Sequence, residues 1–218
     1  MRIMNRHMLP HAFHGARIGL LGGSFDPAHA GHVHLSHQAI MRMGLDQLWW
    51  LVSPANPLKP AQPQPMAQRM NAAHRMAAGH PKIKICDIEQ HLGTRYTADT
   101  LAHLGRLYPR TNFVWIMGAD NLAQFHRWKD WQQIMAHMPV AVFARPRERM
   151  RALTSPAAKT YAQYRRDIRA LAPATPPAWG FANMPMRADS SSALRATGQW
   201  ATGQWGSGRW GSGQWGAA

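Results

Sequence analysis

Along this chain, short apolar runs alternate with longer stretches in which apolar positions recur every three or four residues. The runs Arg17–Leu21, Gln47–Ser53, Lys82–Asp87, Asn112–Met117, Val140–Ala144 and Ala178–Asn183 predict strands. Helical periodicity predicts helices over Gly31–Met43, Pro65–Gly79 and Thr97–Leu107, a helical pair around Leu122–His137, a helix over Ser155–Ala170 and a closing helix from Ser190. Alternation of this length predicts an α/β fold, a doubly wound and mostly parallel sheet covered on both faces, in a single domain. Ligands of such sheets bind at the carboxyl ends of the strands.

The first of those ends is the most informative point in the chain. The run Ile18–Leu21 delivers the backbone to Gly22 and Gly23, where missing side chains let a bulky anion approach main-chain N–H groups. Asp26-Pro27 then turns the chain, and His29 and His32 fall at the start of a helix whose positive end favours anions. Both imidazoles are expected to face whatever the glycines hold. His34 and His37 are expected to be ordinary polar residues of the same helix. Neither the P-loop pattern nor the dinucleotide fingerprint is present.

The string Gly-Gly-Ser-Phe-Asp-Pro-x-His-x-Gly-His, from Gly22 to His32, resembles the opening motif of the nucleotidyltransferases that transfer AMP or CMP from a nucleoside triphosphate. Four further stretches narrow the resemblance to the bacterial nicotinate-mononucleotide adenylyltransferases, over nearly all of Arg17 to Arg195. They are Asn56-Pro-Leu-Lys59, Arg95-Tyr-Thr-Ala-Asp-Thr-Leu101, Phe113-Val-Trp-Ile-Met-Gly-Ala-Asp120 with Trp128 and Trp131 following, and Asp189-Ser-Ser-Ser-Ala-Leu-Arg195. Asp189 departs from the family, which more often has an apolar residue there.

The resemblance implies a Rossmann-like fold with His29 and His32 as the catalytic pair. Gly22, Gly23, Ser24, Phe25 and Lys59 are then expected at the ATP phosphates. Ser190, Ser191 and Ser192 read physically as a helix-capping cluster able to bind phosphate oxygens, with Arg195 adding a fork of donors; by resemblance this motif holds the triphosphate. Asp120, after a buried strand, is placed to accept hydrogen bonds from ribose hydroxyls, with a helix N-cap as the competing role. Trp128 and Trp131, three apart on a predicted helix, are core residues by default. By resemblance, Trp128 with Tyr96 and Thr97 surrounds the nicotinate ring, and stacking suits a pyridinium.

The implied reaction joins nicotinate mononucleotide to the AMP portion of ATP, giving nicotinate adenine dinucleotide and pyrophosphate in NAD biosynthesis. Mg²⁺ bound with ATP is expected, because it can bridge triphosphate oxygens while keeping most of its waters, so no dedicated carboxylate cage is needed. The alternatives are another phosphate acceptor, nicotinamide mononucleotide or phosphopantetheine, and a basic nucleic-acid-binding protein. The net charge of +15 over 218 residues raises that last possibility. Arg145–Arg169 is rich in Arg and Lys with only Glu148 and Asp167 against them. Few stacking aromatics are interleaved there, so a solvated basic helix is preferred and no nucleic-acid partner is expected.

The single cysteine, Cys86, lies in an apolar run and reads as a buried, inert thiol in a reducing cytoplasm. No segment approaches the length of a membrane span, and an oligomer is possible. Residues 1–16 are expected as a flexible basic extension and 17–196 as the adenylyltransferase domain. Residues 197–218 carry a five-residue repeat with Trp200, Trp205, Trp210 and Trp215, a period that matches neither helix nor strand and predicts a flexible tail.

Overall fold

A computed structural model describes residues 9–54, 63–145 and 148–184. Six strands form one wholly parallel sheet: β1 (Arg17–Gly23), β2 (Gln47–Val52), β3 (Ile83–Cys86), β4 (Asn112–Gly118), β5 (Val140–Ala144) and β6 (Trp179–Asn183). Their order is β3-β2-β1-β4-β5-β6. The chain therefore winds outward from β1 to one edge, returns beside β1 at β4, and winds outward again. The expected doubly wound α/β sheet is what forms.

Helices α1 (Ala30–Met43), α2 (Met66–Ala77), α3 (Ile88–Leu92), α4 (Thr97–Leu107), α5 (Ala119–Gln124), α6 (Trp131–His137), α7 (Arg149–Leu153) and α8 (Pro156–Thr160) cover the two faces. Alternate residues of each strand feed two separate cores. Ile18, Leu20, Trp49, Trp115 and Val142 pack with Leu101 and Leu104 of α4, Leu122 of α5 and Ile134 of α6. Leu21, Leu48, Trp50, Ile116 and Phe143 pack with Val33, Ile40 and Met43 of α1 and Ala73 of α2. Trp49 and Trp50 are both fully buried, one into each core, as strands covered on two faces require. Cys86 is buried, as its apolar surroundings suggest, and burial pushes its thiol pKa up.

The helix expected over Ser155–Ala170 is broken. α8 starts correctly, with Ser155 as N-cap and Pro156 at its first position, but the chain leaves helical conformation near Tyr161. Trp179 of β6 is responsible: its indole donates to the Tyr161 carbonyl at 2.7 Å, and its own carbonyl accepts the Arg166 N–H at 2.8 Å. The predicted helical pair is likewise interrupted by a 3₁₀ turn at Phe125–Arg127, so Trp128 and Trp131 do not share a helix. α3 and α7, each five residues long, are too short for periodicity to signal.

Residues 9–16 lie against the domain where a flexible extension is expected. The Tyr108 hydroxyl donates to Pro10, Gln47 donates to His11, and Ala16 is fully buried. The expected closing helix from Ser190 and the tryptophan repeat fall outside the described residues.

Candidate active site

The winding direction reverses between β1 and β4, and the crevice beyond their carboxyl ends is where a doubly wound sheet binds ligands. β1 delivers Gly22 to Phe25 and then the turn into α1, while β4 delivers Gly118 to Asp120. Gly22 and Gly23 are still paired in the strand, opposite Leu51 and Val52 of β2. The space a Cβ would need at Gly22 is filled by the ring of Trp115, so packing alone forbids a side chain there. At Gly23 a Cβ would meet only ordinary contact with the Phe25 ring, at 3.4 Å.

Phe25 has a φ of 46°, a conformation costly for a bulky side chain. Its buried ring is held by stacking on Trp50, with centroids 4.9 Å apart and planes 15° from parallel, and by His32 at 4.7 Å. Trp50 is fixed in turn: its indole donates to Ser36, whose hydroxyl donates to the His32 carbonyl, each at 2.8 Å. A polar chain thus ties the first turn of α1 to β2.

His29 and His32 cap α1 reciprocally. His29 is the N-cap and its Nδ1 accepts the Gly31 N–H at 3.1 Å; the His32 Nδ1 accepts the His29 N–H at 3.2 Å. The two rings lie 3.9 Å apart. An Nδ1 that accepts a backbone N–H cannot carry the ring proton, so each neutral imidazole is assigned the Nε2–H tautomer. His29 is 4% exposed and His32 half-buried, so both rings are held by packing as well as by the cap.

Arg69 of α2 carries no signal in the sequence beyond being one polar residue of an amphipathic helix, yet it is 1% exposed. Its Nε donates to Gln64, one Nη to both Ser24 and Ser53 at 2.7 Å each, and the other Nη to Pro54 at 3.1 Å. All four acceptors are backbone carbonyls. Burial pushes its pKa down, and the nearby charge of Asp26 opposes that shift.

Across the crevice, Asp120 sits in the first turn of α5 and is exposed, while Gly118 takes the N-cap position. The competing reading of Asp120 as a helix cap therefore does not hold. A side chain at Gly118 would meet the Asp120 carboxylate. Burial and the charge of Asp120 push the Glu148 carboxyl up. Tyr96 and Thr97 open α4, whose N-terminus has no side-chain cap. α4 packs on α6, and Trp128 stands just before α6 with its ring edge-on to Phe125 at 5.3 Å and to Trp115 at 6.4 Å. Lys129 sets its Nζ 4.4 Å from the Tyr96 ring centroid, a neighbour that the sequence motifs do not reveal. Lys59, Ser190, Ser191, Ser192 and Arg195 lie outside the described residues. No three His, Cys, Asp or Glu side chains among the described residues converge as a metal cage.

A parallel sheet with a paired-histidine helix start at its switch point defines a nucleotidyltransferase, and residues 20–196 match the family described as Cytidylyltransferase-like. The chain is 55% identical over 199 residues to a Ruegeria pomeroyi protein named "Probable nicotinate-nucleotide adenylyltransferase", covering 90% of this chain and 93% of that one. A protein of the same name from Cereibacter sphaeroides is 58% identical over 183 residues, covering 84% and 98%. The chain belongs to the nicotinate-nucleotide adenylyltransferase family. In fold it is similar to Plasmodium falciparum nicotinic acid mononucleotide adenylyltransferase, solved in complex with NaAD, at a TM-score of 0.62, 18% identity and 82% coverage of both chains.

Proposed function

We infer that the protein transfers the AMP portion of ATP to nicotinate mononucleotide, producing nicotinate adenine dinucleotide and pyrophosphate. The observation that carries this reading is the pair of histidines locked onto the first turn of α1, beside the end of β1, in a chain more than half identical to its named relatives. An oxygen of the mononucleotide phosphate attacks the α-phosphorus of ATP; that P–O bond forms as the bond to the bridging oxygen breaks, and pyrophosphate leaves. The nucleophile is already an anion. The protein's work is alignment and neutralisation of charge on the transferring group.

His29 and His32 serve as Nε2–H donors to the phosphates, a role for which an Nδ1-bound cap preorganises them. The backbone at Gly22, Gly23, Ser24 and Phe25, together with Lys59, Ser190, Ser191, Ser192 and Arg195, receives the triphosphate. Asp120 takes ribose hydroxyls, supported by its exposure at the carboxyl edge of β4. Trp128, Tyr96 and Thr97 receive the pyridine ring, supported by the uncapped amides of α4. Bound with ATP, Mg²⁺ would supply charge neutralisation for the leaving pyrophosphate.

The assignment to the acid form is tested by comparing kcat/KM for nicotinate and nicotinamide mononucleotides at saturating ATP. The acid is expected to win clearly, because a site built to pair one polar group leaves groups unpaired against its analogue. Comparable values would remove the nicotinate-specific part of the reading and leave AMP transfer in place.

A further inference from the structure

We propose that Arg69 is a positioning residue for AMP transfer, aiming the backbone N–H of Phe25 by gripping the carbonyl of Ser24. This rests on the AMP-transfer reading above. The two groups belong to one planar peptide unit, in which C=O and N–H point in opposite directions. With the Ser24 carbonyl drawn to the Arg69 Nη at 2.7 Å, the Phe25 N–H is turned the other way. Among the described residues that N–H meets no acceptor, and it sits in the turn between the end of β1 and the histidine-capped start of α1. A fixed, unmet amide in this position is the donor an anionic phosphate oxygen takes.

The same guanidinium holds the carbonyls of Ser53 and Pro54, where β2 leaves the sheet, and that of Gln64, just before α2. One rigid fork therefore locks the end of β1 against the end of β2. Phe25 is clamped from both sides, its ring by Trp50 and its peptide by Arg69, and this double hold maintains its positive φ. A lysine keeps the charge but offers one nitrogen on a flexible stem, which cannot satisfy diverging carbonyls in the same way.

The test compares wild type with Arg69→Lys and Arg69→Met, each assayed well below its own melting temperature. The Phe25 amide is also followed by NMR as ATP is added. Arg69→Lys is expected to stay folded, to lose about 100-fold in kcat, the scale of a small misplacement of a reacting group, and to change KM for nicotinate mononucleotide little. The ATP-induced shift of the Phe25 amide is expected in wild type and lost in the variant. Normal kcat in folded Arg69→Lys overturns the proposal, and so does reduced kcat with the Phe25 shift intact. Should Arg69→Met fail to fold, the lysine variant decides alone. Wild type that makes no dinucleotide, yet shows a Phe25 shift that Arg69→Lys abolishes, would overturn AMP transfer and leave the Arg69 geometry standing.

Discussion

The ring of Trp115 occupies the space that any side chain at position 22 would need. The two residues belong to adjacent strands, so the glycine one residue before the end of β1 is dictated by a residue more than ninety positions away. Gly22→Ala should destabilise the protein by roughly 1–3 kcal/mol, the usual cost of overpacking. Replacing Trp115 with Phe removes the colliding part of the ring, so the double variant should be more stable than the sum of the single effects predicts. Denaturant unfolding of the four proteins measures that coupling. Additive effects would show that the ring and the glycine do not compete for space.

Capping and phosphate contact can be separated at His29 because asparagine is also a good N-cap. His29→Asn should keep the melting temperature close to that of wild type while lowering kcat on the order of 100- to 1000-fold, the cost of removing one preorganised donor. His32→Ala should show a kcat loss of similar size with a modest loss of stability. Near-normal turnover in both variants would leave the histidines as caps only.

Glu89, 7% exposed, has its pKa pushed by burial from 4.5 up to about 7. A carboxyl whose folded-state pKa is raised favours folding in its protonated form. That stabilising contribution is fully present below about pH 4.5 and is lost as pH rises through about 7. Glu89→Gln should therefore raise stability over wild type at pH 8, by about 3 kcal/mol if the whole shift is expressed, and the gain should vanish near pH 4. A pH-independent difference in melting temperature between the two proteins would contradict this.

Lys129, over the ring of Tyr96, places a cation beside the residues proposed to receive the pyridine ring. Lys129→Met should lower the ratio of kcat/KM for the acid over the amide substrate. Lys129 is exposed, so screening limits the effect to less than about tenfold. An unchanged ratio would assign selectivity to the backbone N–H groups at the start of α4 instead.

Strands and helices that obey their own periodicity could be read directly: Val140–Ala144 and Thr97–Leu107 have the same bounds in the structure as in the pattern. The start of α1 was legible too, since a strand, a double glycine and two spaced histidines all act locally. What escaped the sequence depends on distant partners. The Ser155–Ala170 stretch has helical spacing, but bonds to Trp179 outweigh that local preference. Gly22 reads as an opening for an anion, and only the position of Trp115 shows that a side chain is already excluded. Arg69 reads as one polar residue among several on α2, because three of its four acceptors are carbonyls at the distant ends of β1 and β2.

AMP transfer requires the mononucleotide phosphate to attack the α-phosphorus of ATP. Nicotinate mononucleotide carrying ¹⁸O on its phosphate, incubated with ATP, Mg²⁺ and the protein, tests it in one mass spectrum. Attack at the α-phosphorus gives nicotinate adenine dinucleotide that retains all of the label, with unlabelled pyrophosphate. Absence of the dinucleotide, or ¹⁸O appearing in pyrophosphate, would contradict it.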